Sequence, residues 1–197
     1  MSDHYFTIAE DVITEVKIKG SRFLGFAFPF NDKADFKKII KNLKEEHPKA
    51  SHFCFAYRLG ADGTEFRSSD DGEPAGTAGK PILGQIDSKS VTNTLIVVVR
   101  YFGGTMLGVP GLIDAYKTTA SLLLQLTPII RKNITVSLTV ECDYNTLNTV
   151  LTIIKKDNAT SIQIEQGLFC RISFEVEKER LTQIKYHLAN VKGVELS

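Results

Sequence analysis

The sequence predicts an α+β protein of two domains. In the first part of the chain, strand-like alternating segments are interspersed with amphipathic helical segments, and the apolar run from Leu95 to Val99 indicates a central strand covered on both faces. Pro128 ends the last of these helical segments, and a new strand pattern begins at Ile134. We therefore predict an N-terminal domain at 1–127, a linker at 128–133 and a C-terminal domain at 134–197.

The composition is that of an ordinary globular protein. The 197 residues are 43% hydrophobic, and 24 lysines and arginines oppose 23 acids to give a net charge of +1. This balance argues against binding nucleic acid by wholesale phosphate neutralisation, which requires a strong basic excess. No apolar run approaches the roughly 20 residues of a membrane span, and the N-terminus is too polar for a signal peptide. We therefore expect a cytoplasmic protein with no membrane partner.

The chain has three cysteines, Cys54, Cys142 and Cys170, which are widely spaced and form no C-x-x-C pair. This pattern favours reduced thiols over a disulfide framework or a zinc site. We expect the protein to use no metal ion and no cofactor.

The segment before residue 50 predicts a hairpin and a helix. The alternation at 12–19 and the aromatic content of 22–28 indicate two paired strands. Asp32 is placed to cap a helix with an apolar stripe, which ends at His47 and Pro48.

A strand at 52–58 follows, and its alternation places His52, Cys54, Ala56 and Arg58 on one face and the aromatic rings on the other. We expect the core to take the rings, which leaves His52 and Arg58 on a shared open face. Neighbours two apart on a strand point in parallel, so a catalytic pair of His52 and Cys54 is disfavoured. A glycine turn then leads to a short strand at 64–68.

The loop at 69–83, SDDGEPAGTAGKPIL, is rich in acids and glycines and leads into a helix, for which Pro81 suits the first position. Loops so rich in ionisable groups are often functional. A phosphate-binding P-loop is excluded, because Pro74 and Pro81 stand where that motif needs a glycine and a hydroxyl residue.

A second glycine-rich loop, at 102–111, joins the central strand to the next helix. Its four glycines allow positive φ angles and bring free N–H groups of a helix start to one place. Such a loop is suited to holding an anion, and tight packing of strand against helix is the alternative. The apolar face of the helix is predicted as Leu112, Tyr116, Ala120, Leu123 and Leu126.

The segment from Ile134 onwards predicts the order βαββαβ, with strands at 134–140, 160–165, 168–176 and 194–196. This is the split βαβ arrangement of ferredoxin-like domains. The segment has no constellation of reactive side chains, so we interpret it as a binding or stabilising unit.

Four motifs together carry a resemblance to a known family. They are SRF at 21–23, HxCxAYR at 52–58, the whole acid-rich loop at 69–83, and VVVRYFGGxxLG at 97–108. On these motifs, which cover most of residues 15–126, the chain closely resembles the IMPACT/YigZ family. The C-terminal segment is consistent with the bacterial branch in its element order.

The resemblance implies an N-terminal α+β domain similar to domain IV of elongation factor G, of the ribosomal-protein type, and a ferredoxin-like domain similar to its domain V. It also implies a link to translation, since eukaryotic IMPACT proteins act as inhibitors in the starvation pathway that leads to phosphorylation of an initiation factor. Bacterial members are suspected of binding nucleic acid. Carried over by motif, the shared surface comprises Arg22, His52, Arg58, Ser69, Asp70, Asp71, Glu73, Thr77, Lys80, Arg100, Tyr101, Gly103 and Gly104.

Two residues depart from the family pattern. Pro110 replaces the first of two paired glycines and removes one N–H from the loop. Asp114 stands near a position where the family favours a basic residue. An acid in the first turn of the helix would stabilise that helix but repel a phosphate bound there.

We interpret the chain as a non-catalytic binding protein associated with translation, which contacts RNA, the ribosome or a translation-associated protein. The contact would use a polar groove between the two glycine-rich loops. Arg58, Lys80 and Arg100 would bind phosphates or carboxylates, and Tyr101 and Phe102 would offer a stacking face.

The alternative is a metal-dependent enzyme that acts on a phosphate ester or nucleotide. In it, Asp70, Asp71 and Glu73 would hold the metal or act as the base, and Lys80 and Arg100 would stabilise charge. A solvated acidic turn is the simpler interpretation of the three acids. The sequence leaves the oligomeric state open.

Overall fold

A computed structural model describes residues 3–196 and divides them into two compact units. The N-terminal unit is Tyr5–Lys132, and the C-terminal unit runs from Asn133 onwards and includes Asp3 and His4. No helix within the described residues is long and apolar enough to cross a membrane.

The N-terminal unit is built on an antiparallel five-stranded sheet in the order β2-β3-β6-β4-β5. One face is covered by α1, and the other is covered by α2 and α3. The elements up to residue 133, of which the first residue, His4, and the last, Asn133, already belong to the C-terminal unit, are β1 (His4–Ile8), β2 (Val12–Ile18), β3 (Ser21–Pro29), α1 (Ala34–Glu46), β4 (His52–Leu59), β5 (Glu65–Ser69), α2 (Gly79–Ser88), β6 (Thr94–Tyr101), α3 (Gly108–Leu126) and β7 (Ile129–Asn133).

Strand β6 is central, as its apolar run predicts. Leu95 to Val99 have no exposed surface, and β3 and β4 flank the strand on its two sides. Both faces of β4 are also core, which corrects the prediction that only its aromatic face is buried. Cys54 and Ala56 are fully buried on the face that α2 and α3 cover. The prediction assumes a sheet with one face open to solvent, whereas helices cover both faces of this sheet.

The predicted linker at 128–133 contains a strand. β7 pairs with β1 in a separate two-stranded sheet. The N–H of Ala9 donates to the carbonyl of Pro128 (2.9 Å) at one end of this pair, and the N–H of Ile134 donates to the carbonyl of Asp3 (2.8 Å) at the other. The two strands therefore run antiparallel.

The two helices after the glycine-rich loops begin earlier than predicted. α2 begins at Gly79, so Pro81 is its third residue rather than its first. α3 begins at Gly108, and its buried face includes Ala115, Thr119 and Leu124. Leu126, predicted on that face, is 55% exposed because it lies in the last turn.

The C-terminal unit has the predicted βαββαβ order and a four-stranded antiparallel sheet, β11-β8-β10-β9. Val140, Ile172 and Phe174 are buried in its core with Val150, Ile154 and Ile184 of the two helices. The other sheet face carries polar side chains such as Thr139 and Ser173, which hydrogen-bond to each other. The elements are β8 (Thr135–Cys142), α4 (Leu147–Lys156), β9 (Thr160–Gln166), β10 (Cys170–Glu177), α5 (Leu181–Ala189) and β11 (Val194–Leu196).

Candidate functional site

Most of the residues carried by the motifs gather at one end of the N-terminal sheet. There β3 and β4 begin and β6 ends, so Arg22 pairs with Tyr101 and His52 pairs with Arg100 in the register. We call this the loop end of the sheet, defined by Ser21, Arg22, His52, Arg100 and Tyr101. Because side chains alternate along a strand, neighbours such as Arg100 and Tyr101 point to opposite faces.

A buried ion pair joins the two glycine-rich loops. Nη1 of Arg100, at the end of β6, lies 2.5 Å from Oε1 of Glu73 in the acid-rich loop. Both side chains are almost entirely buried, with 6% and 4% of their surfaces exposed. The hydroxyl of Tyr116 on α3 donates to the same carboxylate oxygen at 2.8 Å. The acid-rich loop, the central strand and α3 are therefore tied together at one oxygen.

The Arg100 guanidinium is enclosed on its other sides. It lies 5.4 Å from the ring centre of Phe23 and 5.5 Å from that of Phe102. Nη2 donates to the hydroxyl of Ser21 at 3.4 Å, and Nε has no hydrogen-bond partner among the described residues. Arg100 therefore faces inward, and the predicted contact of Arg100 with an external phosphate would require Glu73 to be displaced.

Asp70 fastens the acid-rich loop to the start of α2. Its carboxylate accepts hydrogen bonds from the backbone N–H groups of Gly76 (2.8 Å), Ala78 (2.9 Å) and Gly79 (2.8 Å). Burial raises the pKa of Asp70, but these three N–H groups and the charge of Lys80 outweigh that effect and lower the pKa below its usual value. The carboxylate is therefore a structural clamp.

Asp71 orients His52. Its backbone has φ = +41°, which non-glycine residues rarely adopt. Its carbonyl accepts a hydrogen bond from Nδ1 of His52 (2.8 Å), and its carboxylate accepts one from the N–H of Phe53 (2.6 Å). Since a carbonyl only accepts, Nδ1 carries the proton and Nε2 is the basic nitrogen of the neutral ring. Nε2 lies 3.9 Å from Oε1 of Glu73.

Cys54 is enclosed below this loop. Its thiol donates to the carbonyl of Asp70 (3.0 Å) and lies 3.3 Å from the hydroxyl of Tyr116. Burial raises the pKa of Cys54 to about 12 and also raises the pKa of Tyr116. At neutral pH Cys54 is a protonated thiol, which is a poor nucleophile.

We therefore expect the native protein to resist thiol reagents. Cys54, Cys142 and Cys170 are all buried, and burial also raises the pKa of Cys142. Ellman's reagent at pH 8 should detect no rapidly reacting thiol in the folded protein and three thiols in denaturant. Rapid modification of Cys54 in the folded state would contradict the enclosure described here.

Arg22 and Tyr101 lie on the other face of the sheet, beside α1. The guanidinium of Arg22 stacks 5.4 Å from the ring centre of Tyr101 and pairs with Glu15 at 2.9 Å. The Tyr101 hydroxyl hydrogen-bonds Nδ1 of His47 at 2.9 Å. These two site residues thus belong to the same sheet end as Arg100 but to the opposite surface.

Arg58 is remote from the loop end. It lies six residues along β4 from His52, which is roughly 20 Å of extended strand. Its Nε pairs with Asp87 at 2.5 Å, and Nη1 donates to the carbonyl of Gly63 at 2.7 Å. The predicted shared face of His52 and Arg58 exists, but the two side chains are at its opposite ends.

The diglycine bend, formed by Gly103 and Gly104, places its backbone against the backbone of Gly20. A Cβ on Gly103 would lie 1.9 Å from the carbonyl carbon of Gly20, so this position requires glycine. The N–H of Gly103 donates to the hydroxyl of Ser21 at 3.1 Å. Gly104 has φ = +83° and open space around it. On either side of the bend, Phe102 and Met106 are exposed by 51% and 85%.

The start of α3 has no side-chain cap. Pro110 is its third residue, so the proline removes one of the free N–H groups of the first turn. Asp114 is the seventh residue and lies in the second turn, not in the first turn as predicted. Because the helix-end charge effect falls off within one turn, Asp114 opposes an anion at this helix start less than expected.

The remaining predicted site residues belong to the acid-rich loop. Thr77 is buried and donates to the carbonyl of Pro74 (2.7 Å), and Ser69 accepts from the N–H of Asp71 (3.2 Å). Lys80 is exposed on the first turn of α2, and its ammonium has no ion pair with any described residue. Of the three cations predicted to bind phosphates, Lys80 is thus the one that is free to do so.

The acids do not form a metal site. Within residues 3–196, no group of three His, Cys, Asp or Glu side chains is arranged to hold a metal ion. Asp70 and Asp71 accept hydrogen bonds from backbone N–H groups, and Glu73 is paired with Arg100.

Ser21 and Tyr116 complete the buried network around Glu73 and Arg100, and the sequence did not predict them as site residues. Ser21 begins the SRF motif, which is a signal for it, whereas the spacing of Tyr116 predicts only a place on an apolar helix face.

Fold and site together define a class of two-unit α+β protein. In this protein a glycine-rich, acid-rich loop is tied by a buried carboxylate–guanidinium pair to the end of the central strand of a sheet that helices cover on both faces.

The chain belongs to the IMPACT family, as the motifs predict. Residues 19–124 match the family described as Impact N-terminal domain. The chain is 32% identical to IMPACT family member YigZ of Escherichia coli strain K12, covering 92% of this chain and 90% of that protein. It is 37% identical to an IMPACT family member of Haemophilus influenzae, covering 77% and 75%. A crystal structure of a hypothetical protein has a TM-score of 0.83 at 30% identity and covers 100% of this chain and 97% of that one.

Proposed function

We propose that this protein is a non-catalytic binding protein associated with translation, and that the loop end of its N-terminal sheet contacts RNA, free or in the ribosome. The association with translation rests on the family resemblance. We also propose that the two units resemble domains IV and V of elongation factor G.

One observation carries the binding function. At the loop end, the acids and the thiol are engaged internally: Glu73 with Arg100, Asp70 and Asp71 with backbone N–H groups, and Cys54 as a buried thiol. The outward groups are of the kinds that bind single-stranded nucleic acid. They are the exposed ammonium of Lys80, the exposed ring of Phe102, and the backbone N–H groups at the uncapped start of α3.

The buried network has a role in this function. A loop that binds without a catalytic step gains affinity when it is already held in its bound shape, because less conformational entropy is lost on binding. The ion pair and the Asp70 clamp hold the acid-rich loop in this way. Arg22 stacked on Tyr101 extends the surface around the sheet end to the face beside α1.

The proposal is tested by RNA binding of the full chain, measured as fluorescence anisotropy of a labelled single-stranded RNA of about 20 nucleotides, long enough to span a binding site. Lys80→Ala should weaken binding for all sequences and reduce the salt slope by about one. Phe102→Ala should cost about 1–3 kcal/mol of stacking.

The matched control is Lys89→Ala, which removes an exposed lysine just after the opposite end of α2 and should leave binding unchanged. Co-sedimentation with ribosomes should likewise be weakened by Lys80→Ala and by Phe102→Ala and left unchanged by Lys89→Ala. Equal binding by wild type, Lys80→Ala and Phe102→Ala would contradict the proposal, and so would a wild-type protein that binds neither RNA nor ribosomes at low salt.

A further inference from the structure

The C-terminal unit carries an exposed apolar tip that its own fold does not use. The hairpin between β9 and β10 ends in Gly167, Leu168 and Phe169, and Leu168 is 95% exposed and Phe169 63% exposed. Tyr144, 52% exposed, is fixed beside them because its hydroxyl donates to the carbonyl of Gly167 at 2.8 Å. Adjacent exposed apolar side chains on one turn are typical of an interaction site rather than of scattered surface residues.

An acidic row lies directly beside this tip and crosses the whole sheet. In the register, Glu195 of β11 stands opposite Glu141 of β8, Glu141 stands opposite Arg171 of β10, and Arg171 stands opposite Glu165 of β9. Directly paired residues share a face, and this face is opposite to the core that contains Val140 and Ile172. The tip and the row together form what we call the acidic–apolar tip.

The row is unfavourable for the sheet on its own. Glu141 and Glu195 are like charges in directly opposite positions, an arrangement that destabilises a strand pair. Arg171 is the one cation in the row, and it is bound to Glu141 through Nε at 2.8 Å and Nη2 at 2.6 Å. The row thus holds three carboxylates and one guanidinium, which is bound to Glu141, and an added cation would lower the energy of the row.

Two hollows open beside the tip. One, of about 370 Å³, lies between Leu168, Phe169, Arg171 and the acids Glu141 and Glu165. The other, of about 340 Å³, is lined by Phe169 and by acids of β8, β11 and the turn after β8. The ring of Phe169 borders both hollows. Across the two linings, the charged residues are Glu141, Asp143, Glu165, Glu195 and Arg171.

We propose that the acidic–apolar tip binds a basic, amphipathic segment of a partner protein. An apolar side chain of that segment would cover Leu168 and Phe169, and a lysine or arginine next to it would lie over Glu141 and Glu195. Charge complementarity selects this occupant. RNA and anionic lipid would be repelled by the row, and a second copy in a two-fold contact would bring two acidic rows together. The inference is independent of the RNA site, which uses residues of the other unit.

The test uses the full chain and two labelled peptides of about 18 residues, five helical turns, one built of leucine and lysine and one of leucine and glutamate. In fluorescence anisotropy the lysine peptide should bind, and the glutamate peptide should bind at least about tenfold more weakly. Leu168→Ser with Phe169→Ser should weaken binding of the lysine peptide at least about tenfold, as expected for the apolar anchor of an interface. Glu141→Gln with Glu195→Gln should weaken it and reduce its salt dependence.

Two control variants distinguish binding at this surface from nonspecific binding of the peptide. Glu175→Gln removes an acid from the same sheet face near its other end, and Ile13→Ser removes an exposed apolar side chain from the N-terminal unit. Both should leave peptide affinity unchanged, and the tip variants should leave RNA binding unchanged. The proposal is overturned if the tip variants bind the lysine peptide like wild type or if both peptides bind equally. It is also overturned if the tip variants instead abolish a dimer in sedimentation equilibrium or binding to anionic vesicles.

Discussion

Replacing Arg100 with methionine is expected to lower the free energy of unfolding of the N-terminal unit by about 3–5 kcal/mol, the usual cost of leaving one member of a buried ion pair alone. Glu73 would remain buried, with the hydroxyl of Tyr116 as its one remaining close donor. Urea titration followed by circular dichroism measures the change, since the chain has no tryptophan.

The double variant Arg100→Met with Glu73→Leu should lose far less than the sum of the two single variants, because an apolar pair of similar volume carries no unpaired charge. Arg22→Met is the matched control: the same substitution breaks the exposed pair with Glu15 and should change stability little. If Arg100→Met and Arg22→Met had the same small effect, the ion pair would not be the tie between the loops.

The second large effect is expected at Asp70. Asp70→Asn should destabilise the N-terminal unit by about 2–3 kcal/mol at pH 7, because the amide nitrogen cannot accept one of the three backbone N–H groups that the carboxylate holds. The pKa of Asp70 is lowered in the folded state. Its contribution to stability is therefore complete above its unfolded pKa of about 3.9 and is lost as the pH falls through the lower folded value.

The difference in stability between wild type and Asp70→Asn should accordingly be constant near neutral pH and shrink in the acid range. Urea titrations at several pH values between neutral and acid measure it. Asp62→Asn is the control, because Asp62 caps an exposed turn through Thr64 and should have a small effect. A difference that grows as the pH falls would show that the sign of the linkage is wrong.

The sequence predicted the regular elements with strong periodicity and missed those without it. β6 and the βαββαβ order were predicted because an apolar run and an alternating pattern are local signals. β1 and β7 were missed because both are short, and the IIRKN sequence of β7 is exposed along its whole length. Their pairing joins segments far apart in the chain, and local patterns carry no information about it.

The sequence predicted the site residues and a polar groove between the two glycine-rich loops, but not the contacts among those residues. The motifs include both Glu73 and Arg100, and the structure places the two side chains in direct contact. No sequence pattern could show that the contact is buried, because burial depends on Tyr116 and on the rings of Phe23 and Phe102 closing around it. The prediction that Arg58 shares the site failed because residues on one strand face can be far apart along it.

The pairing of β1 with β7 has a consequence for how the N-terminal unit can be handled. β1 leads the chain into the unit and β7 leads it out, so entry and exit lie side by side. A unit with neighbouring ends tolerates circular permutation, and it can be inserted whole into a surface loop of an unrelated host protein. The loop end of the sheet could therefore be displayed on a chosen scaffold with its internal connections intact.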